Sequence, residues 1–366
     1  MKRICKVCHS GNIEMIYSQG SLPVLQNRSY KAKEEARLAL CADVDLALCM
    51  DCGFIFNASF QADRVVYDTS YNNNQSASQV FQDHLLEVAE LLKRKGVLGQ
   101  KIVEIGCGKG DFLRLLRQQG VKITGFDPTF EGYDKDVIKD YFSGKYAGEL
   151  NADLIILRHV LEHIEEPFQF LTSVAEANQY QGGVYIEVPS FEWIVEHKAF
   201  WDIFPEHCNY FTNGFWGSIF SEYDHGFIFQ GQYQYIFAQW GALRKVPQAP
   251  LKVKAPDLNG LKEFIYHYRH LVRARKDIIV WGAGAKGMTF VNLIDPDQQY
   301  ISGLIDINKS KQGNFVGRTA HPIIGPEDID SRAVSNVIIM NGVYKDEIRA
   351  ALDGRKADLF VMGEGS

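Results

Sequence analysis

Three kinds of feature are missing from this sequence, and each absence argues against a class of protein. No uninterrupted apolar run approaches the ~20 residues of a membrane span. No long Lys/Arg run exists and the formal net charge is −6, which argues against a large nucleic-acid interface. The N-terminus, Met1 to Cys5, lacks the apolar stretch of a signal peptide, and no repeat or low-complexity tract is present. We therefore expect a cytoplasmic protein of ordinary globular composition, 46% apolar and 23% charged.

The remaining pattern divides the 366 residues into three segments, more than one typical core can hold. Residues 1–70 carry cysteine pairs. Residues 71–245 alternate strand and helix patterns, and residues 246–366 follow a proline-rich stretch with a second strand–glycine–helix unit. Strands are predicted at 101–105, 121–126, 153–157 and 183–188. This alternation predicts an α/β fold with a parallel, doubly wound sheet.

Two Cys-x-x-Cys pairs account for four of the seven cysteines. Four thiolates in such pairs match a tetrahedral structural zinc site with no open position. The 40 residues between the pairs (9–48) predict a strand-bearing insertion. Reduced surface cysteines remain an alternative, whereas a redox pair is disfavoured because neither pair lies at a strand-to-helix turn. The predicted zinc ligands are Cys5, Cys8, Cys49 and Cys52.

A glycine turn follows the apolar strand Lys101 to Ile105, and a helical pattern begins at Phe112. Glycines allow a ligand to approach the backbone closely, and the new helix offers unpaired N–H groups. The next strand ends at Asp127, whose carboxylate can accept hydrogen bonds from a ribose diol. An NAD-type nucleotide fold would share these features.

The motifs that follow, Asp140-Tyr141-Phe142 and the run from Asp153 to His163, make the order resemble that of the class I methyltransferases, which bind S-adenosylmethionine. The resemblance implies cofactor contacts by Glu104, Gly106, Cys107, Gly108, Gly110, Asp127, Asp140, Tyr141, Arg158 and Gln75. Two local alternatives stay open: Asp140 as a solvated turn carboxylate, and Asp127 as a turn cap.

An adjacent acid and base lie in the aromatic segment 200–212, as Glu206-His207. The carboxylate can orient or charge-stabilise the imidazole, whose pKa is close to working pH. An incidental surface pair is the alternative. The spacing of His159 and His163 also fits two metal ligands on one helix face, but no third ligand is evident. Their position after a strand places them at the mouth of the cofactor pocket.

Taken in order, the whole chain resembles the three-domain sugar C-methyltransferases that act on nucleotide-linked 4-keto-deoxysugars. The resemblance rests on the cysteine pairs, the segment 71–76, the methyltransferase motifs, Glu206-His207-x-x-Tyr210-Phe211, the glycine turn 282–287, and Asp306-x-Asn308-x-x-Lys311-x-Gly313. It implies that His207 is the base with Glu206 beside it, and that His163 and Tyr71 complete the catalytic set.

One departure from the family concerns the two residues before Glu206. Many members carry tyrosine and histidine there, whereas this chain has Phe204 and Pro205. A hydroxyl that could polarise the keto oxygen is missing. The acceptor can therefore differ from the usual 4-keto sugar, or another group takes over that role.

The second glycine turn fits a dinucleotide fingerprint, since Asp306 closes the next strand 19 residues after Gly287. Only 79 residues follow Gly287, however, which leaves little room for a dehydrogenase substrate domain. The resemblance implies instead that this Rossmann-like domain holds the nucleotide sugar, and the turn's N–H groups and Lys286 suit a diphosphate. The implied substrate-binding residues are Gly282, Gly284, Lys286, Gly287, Asp306, Asn341 and Tyr344. A purely structural role for Asn341 and Tyr344 stays open.

The predicted function is therefore carbon methylation of a nucleotide-linked keto-deoxysugar. His207 would remove a proton alpha to the ketone, and the enolate would attack the sulfonium methyl of S-adenosylmethionine. O- or N-methylation of a sugar or another small molecule is the first alternative. A zinc-containing nucleic-acid-binding module is the second, and the acidic balance counts against it. We expect a small-molecule partner, with no nucleic acid and no membrane.

Overall fold

The computed structural model of the chain describes residues 3–67, 71, 73, 75, 77–97, 101–146, 148, 150–249, 253–331, 334–352 and 354–363. Three residues of the motif at 71–76 lie outside this set: Asn72, Asn74 and Ser76. The predicted boundary at 68–70 and residues 250–252 of the predicted linker also lie outside it.

The N-terminal segment forms a small antiparallel sheet. Its elements are β1 (Ile13–Pro23), β2 (Ser29–Tyr30), α1 (Lys33–Arg37), β3 (Cys41–Cys49) and β4 (Ile55–Asn57). The predicted strand-bearing insertion between the cysteine pairs is confirmed by β1 and β3. Strand β4 pairs with residues Asn209–Tyr210, so this sheet takes its fourth strand from the middle of the chain.

The middle segment alternates strands and helices. Its elements are α2 (Gln79–Arg94), β5 (Lys101–Ile105), α3 (Asp111–Gln118), β6 (Lys122–Phe126), β7 (Val137–Ile138), β8 (Leu154–Arg158), α4 (Pro167–Ala177), β9 (Gly183–Pro189), α5 (Phe191–Glu196), β10 (Asn209–Tyr210), α6 (Trp216–Ile219), β11 (Asp224–Ile228) and β12 (Tyr233–Gln239). The four strands predicted from the sequence are confirmed to within one residue at each end.

Seven of these strands form one sheet in the order β11-β12-β9-β8-β5-β6-β7. Strands β9 to β7 in this order run parallel, and β12 is antiparallel to both of its neighbours. Every residue of the central strand β8 is buried. Its apolar run Leu154 to Leu157 is typical of a parallel strand that is covered on both faces. The predicted doubly wound α/β core is confirmed.

The C-terminal segment is again a layered α/β unit. Its elements are α7 (Asn259–Ala274), β13 (Ile278–Trp281), α8 (Ala285–Ile294), β14 (Ile301–Ile305), β15 (Phe315–Val316), β16 (Ile323–Ile324), β17 (Asn336–Ile339), α9 (Lys345–Ala351) and β18 (Asp358–Val361). Five of these strands form a parallel sheet in the order β16-β14-β13-β17-β18. The predicted strand–glycine–helix unit is β13 and α8.

The three segments interlock. Strand β2 of the N-terminal segment pairs with β15 of the C-terminal segment. One hydrophobic cluster joins Leu22 and Val44 of the first segment, Phe200 and Trp201 of the second and Phe290 of the third. The aromatic segment therefore lies where all three meet, which brings Glu206 and His207 to the junction. Within the described part of the chain, no helix is both long and apolar enough to cross a bilayer.

Candidate active site

A cavity of about 340 Å³ lies at this junction and is lined by residues of all three segments. Twelve of the predicted site residues line it: Tyr71, Gln75, His163, Glu206, His207, Gly282, Gly284, Lys286, Gly287, Asp306, Asn341 and Tyr344. The predicted catalytic set and the predicted substrate-binding set, which the sequence separates by up to 273 residues (Tyr71 to Tyr344), thus share one cavity.

His207 presents a neutral imidazole to this cavity. The backbone N–H of Cys208 donates to the Glu162 carbonyl over 2.8 Å, which anchors the chain beside the residues that follow β8. The imidazole packs against Phe204, with ring centroids 4.1 Å apart, and makes no hydrogen bond to the described residues. Desolvation lowers the pKa of His207 well below 6.5, and the neighbouring His163 and His159 lower it further.

Glu206 contacts Tyr71 and the N-terminal segment rather than the imidazole. Its buried carboxylate accepts the Tyr71 hydroxyl at Oε1 over 2.6 Å and the Gln26 backbone N–H at Oε2 over 3.1 Å. No hydrogen bond joins Glu206 to the His207 ring, so the expected orienting contact is not formed. Burial, and then the charge of Glu206, raise the pKa of Tyr71 well above 10, so the phenol remains a donor.

His163 lies next to His207, with ring centroids 4.9 Å apart. His163 Nδ1 is 3.2 Å from the Glu206 carbonyl oxygen, which can only accept, so this geometry favours a proton on Nδ1. The Tyr67 hydroxyl is also 3.2 Å from that nitrogen. His163 therefore keeps Nε2 as a free acceptor, consistent with a second base.

His159 faces a different set of partners and forms no metal pair with His163. It follows β8 with φ +53°, and its ring contacts Glu162 Oε1 at 3.3 Å and Glu187 Oε1 at 3.0 Å. Burial opposes the charge, but the hydrogen bonds to these carboxylates raise the pKa of His159 to about 9. At neutral pH it is a cation beside the cavity, and its charge helps to keep His207 neutral.

The first glycine turn lies outside the cavity but at the same sheet edge. Strands β5 and β8 are neighbours, so the turn after Ile105 and the segment after Arg158 meet at the carboxyl ends of the strands. Gly106 has φ +79°, and a Cβ there would lie 2.4 Å from Val160 Cγ2, so the position accepts only glycine. At Gly108 a Cβ would meet nothing within 4 Å, which leaves that face of the turn open.

Buried Glu104 supplies the clearest sign of a ligand at this turn. Desolvation raises the pKa of its carboxyl to about 7, and its Oε2 is buried without a hydrogen-bond partner among the described residues. A buried acceptor left unpaired is costly. The ammonium group in the methionine portion of S-adenosylmethionine would satisfy it, so these residues fit that cofactor.

The remaining predicted cofactor residues are engaged within the protein. Asp127 accepts the Gly108 N–H over 2.8 Å and the Thr129 N–H over 2.8 Å, so it braces the turn. Asp140 accepts from Lys145 and from the Tyr146 hydroxyl, and its neighbour Tyr141 is largely exposed. Each carboxylate retains accepting capacity on one oxygen, because Asp127 Oδ1 and Asp140 Oδ2 each already accept two hydrogen bonds. Their ribose and adenine roles stay predictions.

Arg158 and Cys107 point into the protein. The guanidinium of Arg158 lies 4.7 Å from the Phe112 ring and donates to both Glu187 oxygens over 3.3 Å. Cys107 is buried in the hydrophobic cluster formed by α2, α3 and β6. Contact of either residue with the cofactor stays a prediction.

The four predicted zinc ligands come together. The sulfur atoms of Cys5 and Cys52 are 3.6 Å apart, those of Cys8 and Cys49 are 3.5 Å apart, and all four lie within 4.8 Å of one another. A tetrahedral zinc site with Zn–S bonds of about 2.3 Å spaces its sulfurs by about 3.8 Å. The donor set and spacing fit this ion.

The second glycine turn is held by Asp306, whose Oδ2 accepts the Ala283 N–H over 3.0 Å and whose Oδ1 accepts the Asn308 N–H over 2.8 Å. Both oxygens thus accept from the backbone, as those of Asp127 do at the first glycine turn. Hydrogen bonds link this domain to the rest of the cavity. Tyr344 donates to Gln75 over 3.1 Å, and Asn341 exchanges two hydrogen bonds with Gln232.

The sequence patterns do not predict several of the residues that line the cavity. Lys311 is part of the motif at 306–313, but the motif indicates no separate role for it. Asp202 stood in the aromatic segment without a visible partner. Asn27 and Gln232 carry no local signal, because only the fold brings them to the cavity. The polar lining is therefore richer than the motifs indicated.

Comparisons with known proteins agree with this architecture. A methyltransferase domain model matches residues 74–225, and a C-methyltransferase C-terminal domain model matches residues 259–358. The C-methyltransferase NovU of Streptomyces niveus is 24% identical over 94% of this chain and 90% of its own length.

Two further relatives match only part of the chain. The ubiquinone biosynthesis O-methyltransferase of Escherichia coli is 24% identical over a stretch of 106 residues, which covers 25% of this chain and 43% of that enzyme. A S-adenosylmethionine-dependent methyltransferase structure from Archaeoglobus fulgidus covers 44% of this chain and 100% of its own, at 17% identity and a TM-score of 0.34. The two family matches show that the chain carries a methyltransferase domain followed by a C-methyltransferase C-terminal domain.

Proposed function

We propose that this enzyme methylates a carbon atom of a nucleotide-linked keto-deoxysugar in the cytoplasm, with His207 as the base. The observation that carries the proposal is the state of His207. Its imidazole borders the shared cavity, makes no hydrogen bond to the described residues and has a pKa held well below 6.5. A general base must be unprotonated before it acts, and this environment provides that form at neutral pH.

The proposed chemistry follows from the groups around the imidazole. His207 takes the proton from the carbon next to the sugar ketone, and the electron pair of that C–H bond forms an enolate. The imidazolium that results packs edge-on against the His163 ring, with ring centroids 4.9 Å apart. S-Adenosylmethionine, when bound, would supply an electrophilic methyl group: the enolate carbon would take it as the carbon–sulfur bond breaks, the ketone would re-form and S-adenosylhomocysteine would leave. No metal is needed to activate a sulfonium.

Support for a nucleotide-linked substrate comes from the extent of the cavity. It runs from His207 to the glycine turn at 282–287 and the N-terminus of α8. Backbone N–H groups at such a turn favour phosphate groups. A sugar attached to a nucleoside diphosphate would place its ketone near His207 and its phosphates near the turn.

The structural parts of the proposal are a zinc-bearing domain at residues 1–70, a methyltransferase domain at 71–245 and a Rossmann-like substrate-binding domain at 246–366. Zinc would be held by Cys5, Cys8, Cys49 and Cys52 and would play no chemical part, because four thiolates leave no open position.

Proton exchange distinguishes this reaction from O- or N-methylation. A panel of nucleotide keto-sugars deuterated at the alpha carbon would be incubated with methyl-labelled S-adenosylmethionine, and the products analysed by mass spectrometry and NMR. Carbon methylation requires loss of the deuterium from the methylated carbon. A product that carries the label on oxygen or nitrogen and retains the deuterium would refute the proposal.

A further inference from the structure

Two lysines border the part of the cavity formed by the second glycine turn, and their surroundings differ. Lys286 Nζ donates to Asp202 Oδ2 over 2.9 Å and to Gln232 Oε1 over 2.9 Å, and it lies 5.1 Å from the Trp193 ring centroid. Its charge is already balanced by a carboxylate. An anionic ligand would have to compete with Asp202 for this ammonium.

Lys311 is more deeply buried and less well satisfied. Only 4% of the residue is exposed, yet it lines the cavity. Within the described chain, its ammonium makes one hydrogen bond, to the Ala283 carbonyl over 3.1 Å, which holds it against the glycine turn. An ammonium has three hydrogens to donate, so two remain for a ligand.

Asp306, the acid that acts on Lys311, makes its hydrogen bonds to the backbone instead. Asp306 attracts the ammonium electrostatically, but both of its oxygens accept backbone N–H groups of the turn. Burial lowers the pKa of Lys311, as expected for a buried cation without a bonded counter-ion. An anion in the cavity would supply that counter-ion. Helix α8 begins at the same turn, and no side chain caps its first N–H groups.

We propose that Lys311, and not Lys286, is the cation that binds the diphosphate of the nucleotide-linked substrate. This assignment rests on the proposed function, because it assumes that the second glycine turn receives a nucleoside diphosphate. In this arrangement Lys286 positions Asp202 and Gln232 at the cavity wall, and Lys311 with the uncapped N–H groups of α8 contacts the phosphate oxygens.

Binding measurements with thymidine diphosphate and uridine diphosphate test the assignment, with thymidine and uridine as uncharged probes. Lys311→Met should weaken binding of whichever diphosphate the wild type binds by about tenfold to a hundredfold, the scale of a charge-assisted hydrogen bond. The affinity for the matching nucleoside should stay unchanged. Lys309→Met, an exposed lysine on the same loop, serves as the control and should bind the diphosphate as the wild type does.

A pH series keeps the test decisive even if Lys311→Met does not fold. As the pH rises, the wild-type affinity for the diphosphate should start to fall below the pH at which an ordinary lysine titrates, because Lys311 loses its proton. Lys311→Arg stays charged and should keep only the change that other groups beside the cavity, such as His159, contribute. Coincident curves, or a larger loss for Lys286→Met than for Lys311→Met, would overturn the assignment while leaving the proposed function intact. A folded wild type that binds neither diphosphate would overturn the proposed function, and the assignment with it.

Discussion

The hydroxyl of Tyr71 donates a hydrogen bond to Glu206 Oε1 over 2.6 Å, and this contact separates Glu206 from the imidazole next to it in the sequence. With its other oxygen held by the Gln26 backbone N–H, the carboxylate ties the N-terminal segment to the cavity wall. Glu206 thus holds Tyr71 in place, while His207 remains free to meet a substrate.

Removal of the Tyr71 hydroxyl should lower the turnover rate. Tyr71→Phe deprives a buried carboxylate of a charge-assisted hydrogen bond, and we expect kcat to fall about tenfold. Glu206→Gln should have an effect of similar size, because it weakens the same contact. Tyr266→Phe, on an exposed tyrosine of α7, is the control. Wild-type kcat in both cavity variants would show that this pair has no part in the reaction.

Removal of the proposed base should have a far larger effect. His207→Ala should lose two to four orders of magnitude in methyl transfer, the usual scale for a general base, yet bind S-adenosylhomocysteine almost normally. Its position away from the first glycine turn is the reason for the normal binding. Near-normal turnover of His207→Ala would make His163 the leading candidate for the base.

The pH dependence reports on the same residue. Because the pKa of His207 lies well below 6.5, kcat/KM should stay constant as the pH falls through 6.5 and decline only at lower pH, where the base becomes protonated. A protonated His163 disfavours a second positive charge on His207, and His163→Asn removes that repulsion. The acidic limb should therefore move to higher pH in that variant, and an unmoved limb would contradict the coupling of the two histidines.

The cysteine cluster predicts a metal content. Purified protein should carry about one zinc ion, and Cys5→Ser or Cys52→Ser should lose it and lower the melting temperature. Cys41→Ser is the matched control, because Cys41 lies outside the cluster and its thiol donates to the Ala39 carbonyl. Elemental analysis that finds no zinc in reduced, undamaged wild-type protein would rule out the site.

Ligand stabilisation tests the first glycine turn. S-Adenosylhomocysteine at a hundred times its Kd should stabilise the fold by about 2.7 kcal/mol, and NAD should not. Asp127→Ala should reduce the effect. Because the pKa of Glu104 is about 7, ligand affinity should weaken as the pH falls through 7 and the carboxylate becomes protonated. Glu104→Gln should remove that dependence. Strong stabilisation by NAD that Asp306→Ala abolishes would instead identify a dinucleotide site.

The sequence was sufficient for the features that repeat a local pattern. Strands β5 and β13 are apolar runs that end in glycine turns. Such strand–turn–helix units can be recognised in a window of about twenty residues of sequence. The spacing within the two cysteine pairs is likewise enough to predict a zinc site. The doubly wound sheet of the middle segment, the second strand–glycine–helix unit and the strand-bearing insertion are all predicted on these grounds.

The contacts that define the cavity could not be predicted from the sequence, because they join residues that are far apart along the chain. Glu206 meets Gln26 and Tyr71 across 180 and 135 residues. Lys286 was predicted to face a diphosphate, and its partner Asp202 lies 84 residues earlier on a short aromatic turn. No periodicity relates such residues, so only the packing of three segments around the aromatic cluster reveals which charges are already paired.

Phe204 offers the sharpest test of acceptor choice. Its buried ring borders the cavity beside His207, where many C-methyltransferases carry a tyrosine. Phe204→Tyr would return a hydroxyl that can donate to the developing enolate oxygen. If the natural acceptor is a 4-keto sugar, kcat/KM for it should rise by at least about tenfold, below the full 10²–10³ of an optimised oxyanion donor.

The matched control for Phe204 is Phe204→Leu, which keeps an apolar side chain without the hydroxyl and should show no rise. Rates would be measured with 4-keto and other keto isomers side by side. A gain restricted to 4-keto substrates would show that the missing hydroxyl limits the rate. No gain with any isomer would show that another group in the cavity already polarises the ketone.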